Sequence, residues 1–203
     1  MSKTGHRMKK FFLIFLLLIP ACAPWIKTGD SYESLTHNFF VNIPQGWMML
    51  DTDQYLLISG DGPFLQYVLI QDRPLNRPFR NTKKKFNRLM LPQEAADVII
   101  DEITSDQSVL NFEIIENVPT RIHDRDGFRV VFTYKDREGL KLKTIFYGFL
   151  AGESFYNIRY TAVKRYYFEK DIEAFRKVVE SFRLIEDEEN CPGIRISQTM
   201  KAN

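Results

Sequence analysis

Between Gly127 and Lys135 apolar and polar side chains alternate, with Phe128, Val130, Phe132 and Tyr134 on one face and Arg129, Thr133 and Lys135 on the other. A period of two marks a β-strand. The turn signal Arg137-Glu138-Gly139 leads into a second run, Leu140–Leu150. Gly152-Glu153-Ser154 leads into a third, Phe155–Ala162, where Tyr156, Ile158, Tyr160 and Ala162 share a face. Short turns between long strands predict an antiparallel meander, because parallel neighbours need a long crossover. Upstream, Phe39, Val41 and Ile43 alternate with Phe40 and Asn42 ahead of the turn Pro44-Gln45-Gly46 and Trp47. Further strands are predicted at Tyr55–Ser59 and Leu65–Asp72, either side of Gly60-Asp61-Gly62-Pro63, and at Phe112–Val118.

Two stretches change period. Pro92 suits the first position of a helix, and Ala96, Ile99, Ile100 and Ile103 then fall on one side. From Tyr167 to Phe182 the stripe Phe168, Ile172, Phe175, Val179, Phe182 predicts one closing helix. The strand Leu140–Leu150 is apolar on both faces, Leu142, Phe146 and Leu150 on one and Ile145, Tyr147 and Phe149 on the other. A sheet wetted on one side does not read this way. The predicted architecture is therefore α+β, an antiparallel β-sheet with helices on both faces, an α/β/α sandwich.

The chain termini carry a different signal. Lys9 and Lys10 precede an apolar run from Phe11 to Ile19, followed by Pro20, Ala21 and Cys22. A positive segment, a short apolar core and a small residue make an export signal. The run falls short of the roughly 20 residues needed to span a bilayer. Met8 is a workable start, because the segment from Met8 to Cys22 already has every part. Residues 1–21 are thus read as a signal peptide, 22–38 as a tether without periodicity, 39–185 as the folded domain and 186–203 as a mobile tail.

Ile19-Pro20-Ala21-Cys22 resembles the lipobox of bacterial lipoproteins. The resemblance implies diacylglyceryl and palmitate attachment at Cys22, a membrane anchor, and a periplasm-facing protein of the cell envelope. With Ala23 after the cysteine, the enteric sorting rule implies the outer membrane. Removing the signal alters the charge. Of 28 Lys and Arg, Lys3, Arg7, Lys9 and Lys10 are lost, leaving 24 against 26 acids, a net of −2. That balance gives no electrostatic case for nucleic acid. Cys191 is then left without an intramolecular partner, and nothing around it activates a thiol.

Several of these elements together resemble the Mog1/PsbP-like superfamily: the first strand running into Pro44-Gln45-Gly46-Trp47, the helix from Pro92, Gly127-Phe128 opening a strand, the meander, and the closing Ser181-Phe182-Arg183. The match spans roughly residues 36–185. It implies a rigid sandwich that binds partners. Enzymatic activity is not a trait of that family, and no functional residue transfers from it.

The strongest local chemistry is basic. Arg73, Arg77, Arg80, Lys83, Lys84, Lys85 and Arg88 give seven cations in sixteen residues without an acid, with Phe79 and Phe86 interleaved. In an exposed loop such a run attracts an anionic headgroup or an acidic protein face. The ordinary alternative is a solvated loop balanced by acids elsewhere. His123-Asp124-Arg125-Asp126 reads as a polar turn rather than a metal site, since no third spaced ligand accompanies it. No nucleophile elbow or phosphate-cradling glycine loop occurs. No cofactor and no catalysis are expected. The expected function is a lipid-anchored binding or scaffold protein that docks an envelope component or complex. The competing reading is a small-molecule or lipid carrier with an apolar pocket between sheet and helix. Metabolic palmitate labelling tests the anchor: label is expected on the wild-type chain and absent from Cys22→Ala, and label that survives the substitution refutes it.

Overall fold

The computed structural model describes residues 26–27 and 30–185. In chain order the elements are β1 (Ile26–Lys27), β2 (Asp30–Ser34), β3 (Phe39–Ile43), β4 (Met48–Asp51), β5 (Leu56–Ser59) and β6 (Gln66–Pro74). Helix α1 (Pro92–Thr104) follows, then β7 (Leu110–Ile122), β8 (Arg125–Lys135), β9 (Lys141–Ala151) and β10 (Ser154–Val163). The chain closes with α2 (Tyr167–Lys170), α3 (Ile172–Ser181) and β11 (Arg183–Leu184). Eight strands form one antiparallel sheet in the order β1-β4-β5-β6-β10-β9-β8-β7, and β11-β3-β2 form a second, smaller one.

The meander forms as the alternation predicts, and both faces of the large sheet are covered. On one face Phe128, Val130, Phe132, Phe146 and Phe155 pack against Ala95, Ala96, Val98 and Ile99 of α1. On the other, Ile58, Val68, Ile70, Ile158 and Tyr160 pack against Phe168, Phe175, Val178 and Phe182, together with Phe39 and Val41 of the small sheet. Strand β9 serves both cores, Phe146 in the first and Ile145 and Phe149 in the second. The fold is thus the expected α+β sandwich, its second layer built of α2, α3 and the small sheet together. Helix α1 starts at Pro92, where the Glu94 carboxylate accepts the Leu91 N–H at 2.8 Å, half of a capping box.

Three local expectations are corrected. Residues 30–34, read as tether, form β2 and pair with β3 in the register Ser34↔Phe39 to Asp30↔Ile43. Asp30–Ser34 has a single apolar side chain, Tyr32, which packs on the core, so backbone pairing rather than an apolar stripe makes it a strand. The closing helix is broken at Asp171, whose φ of −114° and ψ of 9° leave the helical region. The buried Tyr160 hydroxyl donates to the carbonyls of Tyr167 and Phe168, at 2.9 and 3.1 Å. Those carbonyls would otherwise accept from residues 171 and 172 in a continuous helix. Finally, the basic segment is not a free loop. Phe79 and Phe86 are buried, in edge-on contact at a centroid distance of 5.2 Å, and Phe86 stacks on Phe155 at 4.2 Å. The segment is a strap held on the sheet by its aromatics. The signal, Cys22, Cys191 and the tail lie outside the described residues.

Gly148 sits where the rings of Phe128 and Phe155 cross the sheet; a Cβ there would lie 2.5 and 2.7 Å from their Cζ atoms. Gly148→Ala should therefore cost about 1–3 kcal/mol through overpacking, read as a lower urea midpoint. An unchanged midpoint would show that the two rings can shift aside.

Candidate functional site

A notch opens where two strands end at different heights. Strand β5 pairs with β6 only from Leu56↔Ile70 to Ile58↔Val68, whereas β10 follows β6 as far as Ser154↔Pro74. Past Ile70, β6 thus keeps a neighbour on one side only. The β2–β3 turn brings Thr36 and His37 to this gap, the β4–β5 turn brings Asp53 and Gln54, and the strap brings Arg73, Arg77 and Arg80. The resulting cavity holds about 320 Å³.

His37 fastens its inner wall and is 2% exposed. Nε2 lies 2.7 Å from the Thr52 carbonyl, which can only accept, so this nitrogen carries a proton and donates it. Nδ1 lies 2.6 Å from Asp72 Oδ1, with one proton between ring and carboxylate. Asp51 Oδ1 stands 3.8 Å from Nε2. Burial alone would pull the imidazole pKa down; the bond to Asp72, the Thr52 carbonyl and the charges of Asp72 and Asp51 outweigh it and hold it above the usual value. Tyr32 of β2 adds a second tie by hydrogen-bonding Asp51. Burial, with Asp51 beside it, raises the phenol pKa. Together these contacts clip the small sheet to the large one.

The outer wall is cationic. Arg73 lies over the Phe79 ring at 3.8 Å and donates through Nη2 to the carbonyls of Arg77 and Pro78, at 2.9 and 3.2 Å. Burial, and then the charge of Arg77, lower its pKa. Neither the Arg77 nor the Arg80 guanidinium forms an ion pair among the described residues, although both line the cavity. The remaining cations of the run are dispersed. Lys84 pairs with Asp101 of α1, Arg88 pairs with Glu153 of the β9–β10 turn, and the Lys83 ammonium donates to the Arg80 carbonyl at 2.7 Å. Lys85 is exposed and lines no cavity described here. The sequence run is thus divided, and Arg73, Arg77 and Arg80 alone converge.

His123 is exposed in the β7–β8 turn at a φ of 53°. Among the described residues no group of three or more His, Cys, Asp and Glu side chains is placed to hold a metal, and no helix is long and apolar enough to cross a membrane. Nothing in the sequence marks His37, because a lone histidine in a polar segment carries no signal of the carboxylate it meets 35 positions later.

A second cavity, of about 310 Å³, lies between α1 and the sheet. Its floor is Phe132, Tyr134, Thr144, Arg159 and Thr161, and its roof includes Ile103 and Glu102 of α1. It is polar as well as apolar, unlike the greasy pocket expected of a carrier. Arg159, too, lies outside the basic run that the sequence marks. Its signal is a charge between Ile158 and Tyr160 in a strand with no other charged residue.

No protein-family model matches the sequence, and no curated protein matches it. Solved structures match it by shape. Cyanobacterial PsbP (CyanoP) from Synechocystis is 9% identical, covering 78% of this chain and 94% of that one, with a TM-score of 0.55. The Ran-binding protein Mog1p from Saccharomyces cerevisiae is 7% identical, covering 80% and 98%, with a TM-score of 0.54. The chain has a Mog1/PsbP-like fold, in agreement with the resemblance drawn from its turn and core residues.

A raised pKa at His37 means that the folded state binds the proton more tightly than the unfolded chain does. The stabilisation is fully present below the ordinary imidazole value of about 6.5 and is lost as pH rises through the higher folded value. Stability measured by urea unfolding should fall over that window in the wild type. The fall should vanish in His37→Gln; a variant that keeps the same slope would assign it to another group.

Proposed function

We propose that the chain is a lipid-anchored docking domain of the cell envelope, without catalysis, whose notch engages a phosphate of an anionic headgroup at the membrane surface. One observation carries this reading: Arg73, Arg77 and Arg80 converge on a single cavity, and none of the three guanidinium groups has a carboxylate partner among the described residues. Guanidinium groups suit phosphate because their planar forks donate two parallel hydrogen bonds. Asp53 and Asp72 also line the notch, but Asp72 is already engaged by His37, so the cations remain in excess.

Chain geometry supports the same reading. Strand β1 pairs with β4 in the register Ile26↔Met49, and β4 leads directly to Asp53 at the notch. Three residues separate Cys22 from Ile26, so four chain steps give a reach of at most roughly 14 Å. A lipid at Cys22 would hold this edge of the sheet against the headgroups, and the tether would be much shorter than residues 22–38. The yeast neighbour's description as a Ran-binding protein is compatible with a sandwich that works by docking.

Cosedimentation with phosphatidylglycerol vesicles tests the reading on a chain starting at Ala23, which retains every described element. Each cation near an anionic surface is worth about 1 kcal/mol. Arg77→Glu with Arg80→Glu should therefore weaken binding by at least about tenfold. Lys84→Glu and Arg88→Glu remove charges that are already paired and should change it far less. Equal binding by the Arg77/Arg80 variant overturns the notch as the contact.

A further inference from the structure

Arg159 occupies an unusual place for a charge. It lies in mid-β10, fifth of the eight strands, with Leu69 of β6 and Phe146 of β9 as its cross-strand neighbours. The row continues to Leu57 on one side and Val130 on the other. An arginine set into an apolar row normally has a carboxylate beside it, because an uncompensated charge against apolar surface is costly. Arg159 has none within ion-pair distance among the described residues, and its buried Nε has no hydrogen-bond partner. The Tyr67 ring lies 5.8 Å from the guanidinium carbon, and Tyr134 shares the cavity lining with it.

We infer that the cavity between α1 and the sheet is a binding site for a small monocarboxylate with an apolar body, its carboxylate held by Arg159. Nε and a terminal nitrogen of a guanidinium form the fork that a carboxylate fills with two hydrogen bonds. Thr144 and Thr161 stand beside it as a buried hydroxyl pair 3.0 Å apart, and Phe132 and Ile103 offer apolar wall. The volume of about 310 Å³ amounts to roughly ten groups of water size, at about 30 Å³ each. That suits an acid of about ten heavy atoms.

The carboxylates in the lining set the charge of the guest. Glu102 accepts the Asn81 and Thr82 N–H groups at 3.0 and 2.9 Å and the Thr82 hydroxyl at 3.0 Å. Burial would raise its pKa, but the strap's N–H groups and that hydroxyl hold it low, so it stays ionised. Asp106 is likewise held low by the Ser108 N–H and hydroxyl. Both charges are committed to the strap and the helix end, not to Arg159. With Arg159 they give the lining a net charge of −1, which opposes a doubly charged phosphate more strongly than a monocarboxylate. The site is separate from the notch, so this inference and the headgroup reading can fail independently.

Octanoate, with ten heavy atoms, is the probe. Titrated into the full chain, it should bind saturably and shift the Arg159 Nε–Hε resonance, while octyl phosphate and 1-octanol bind at least about tenfold more weakly. Arg159→Leu continues the Leu57–Leu69 row and should fold; its octanoate affinity should drop by at least about tenfold. Arg77→Glu should leave octanoate binding unchanged. Octanoate bound equally by Arg159→Leu, equal binding of the phosphate or the alcohol, or an unmoved Nε–Hε resonance would each overturn the assignment. Should Arg159→Leu not fold, the wild-type resonance decides.

Discussion

The β6–β10 pairing is the joint on which the rest of the molecule depends. It runs through nine register pairs, from Ser154↔Pro74 to Ala162↔Gln66, and joins strands from the two halves of the chain. Each remaining strand of the large sheet is added outward from this pair, β5, β4 and β1 on one side and β9, β8 and β7 on the other. A shift of one residue would turn every side chain of β10 to the opposite face, moving Ile158 and Tyr160 out of one core and Phe155 out of the other. With both faces buried, such a slip has no tolerable alternative, which is why the register is fixed. A joint between segments so distant in sequence also predicts slow folding, since the intervening chain must be closed before the contacts form.

Both candidate sites are consequences of that joint. The notch exists because β6 outruns β5 while remaining paired with β10, so the strap must leave the sheet beside an open strand flank. The second cavity exists because α1 packs over β7, β8 and β9 rather than over the whole sheet. Arg159 and Thr161, on β10, fall at its margin. The two sites differ in how charge is handled. Around the notch His37 and Asp72 neutralise each other and the excess guanidinium groups face an open cavity. In the second cavity a lone cation lies in a lining of mixed polarity, and the available carboxylates accept from backbone N–H groups rather than from it.

The fold was largely legible in the chain because its dominant force is periodic. Alternation in Gly127–Lys135 and the two-faced apolar run of β9 implied a covered antiparallel sheet before any contact was known. What escaped was non-periodic. Strand β2 is held by backbone pairing and by Tyr32 and His37, whose partners Asp51 and Asp72 lie far along the chain. The break between α2 and α3 depends on one hydroxyl, that of Tyr160. Phe79 and Phe86 looked like aromatic punctuation in a basic loop; burial against Arg73 and Phe155 could not be read from spacing. The basic run itself was visible, but which of its charges are paired was not, because Asp101 and Glu153 belong to other elements.

Local rules and global structure agree through most of this chain: apolar residues alternate where strands form, proline opens α1, and small residues sit where rings cross. Sequences that fold to one structure show such agreement at every level, and departures concentrate where function demands them. The departures here are specific. Arg159 stands without a carboxylate in an apolar row, and so do Arg73, Arg77 and Arg80 at the notch, while Lys84, Arg88, Arg129 and Lys170 each find one; Lys85, Lys135 and Lys177, which also form no ion pair among the described residues, are exposed. If unpaired cations were simply surface charge, they would be expected on the exposed flanks. Arg159 is instead half-buried in the centre of the sheet, where replacing it by leucine would continue the row Leu57–Leu69 and remove an Nε that has no hydrogen-bond partner. Stability alone gives no reason to keep it, so the charge is best understood as the part of the site that a guest completes.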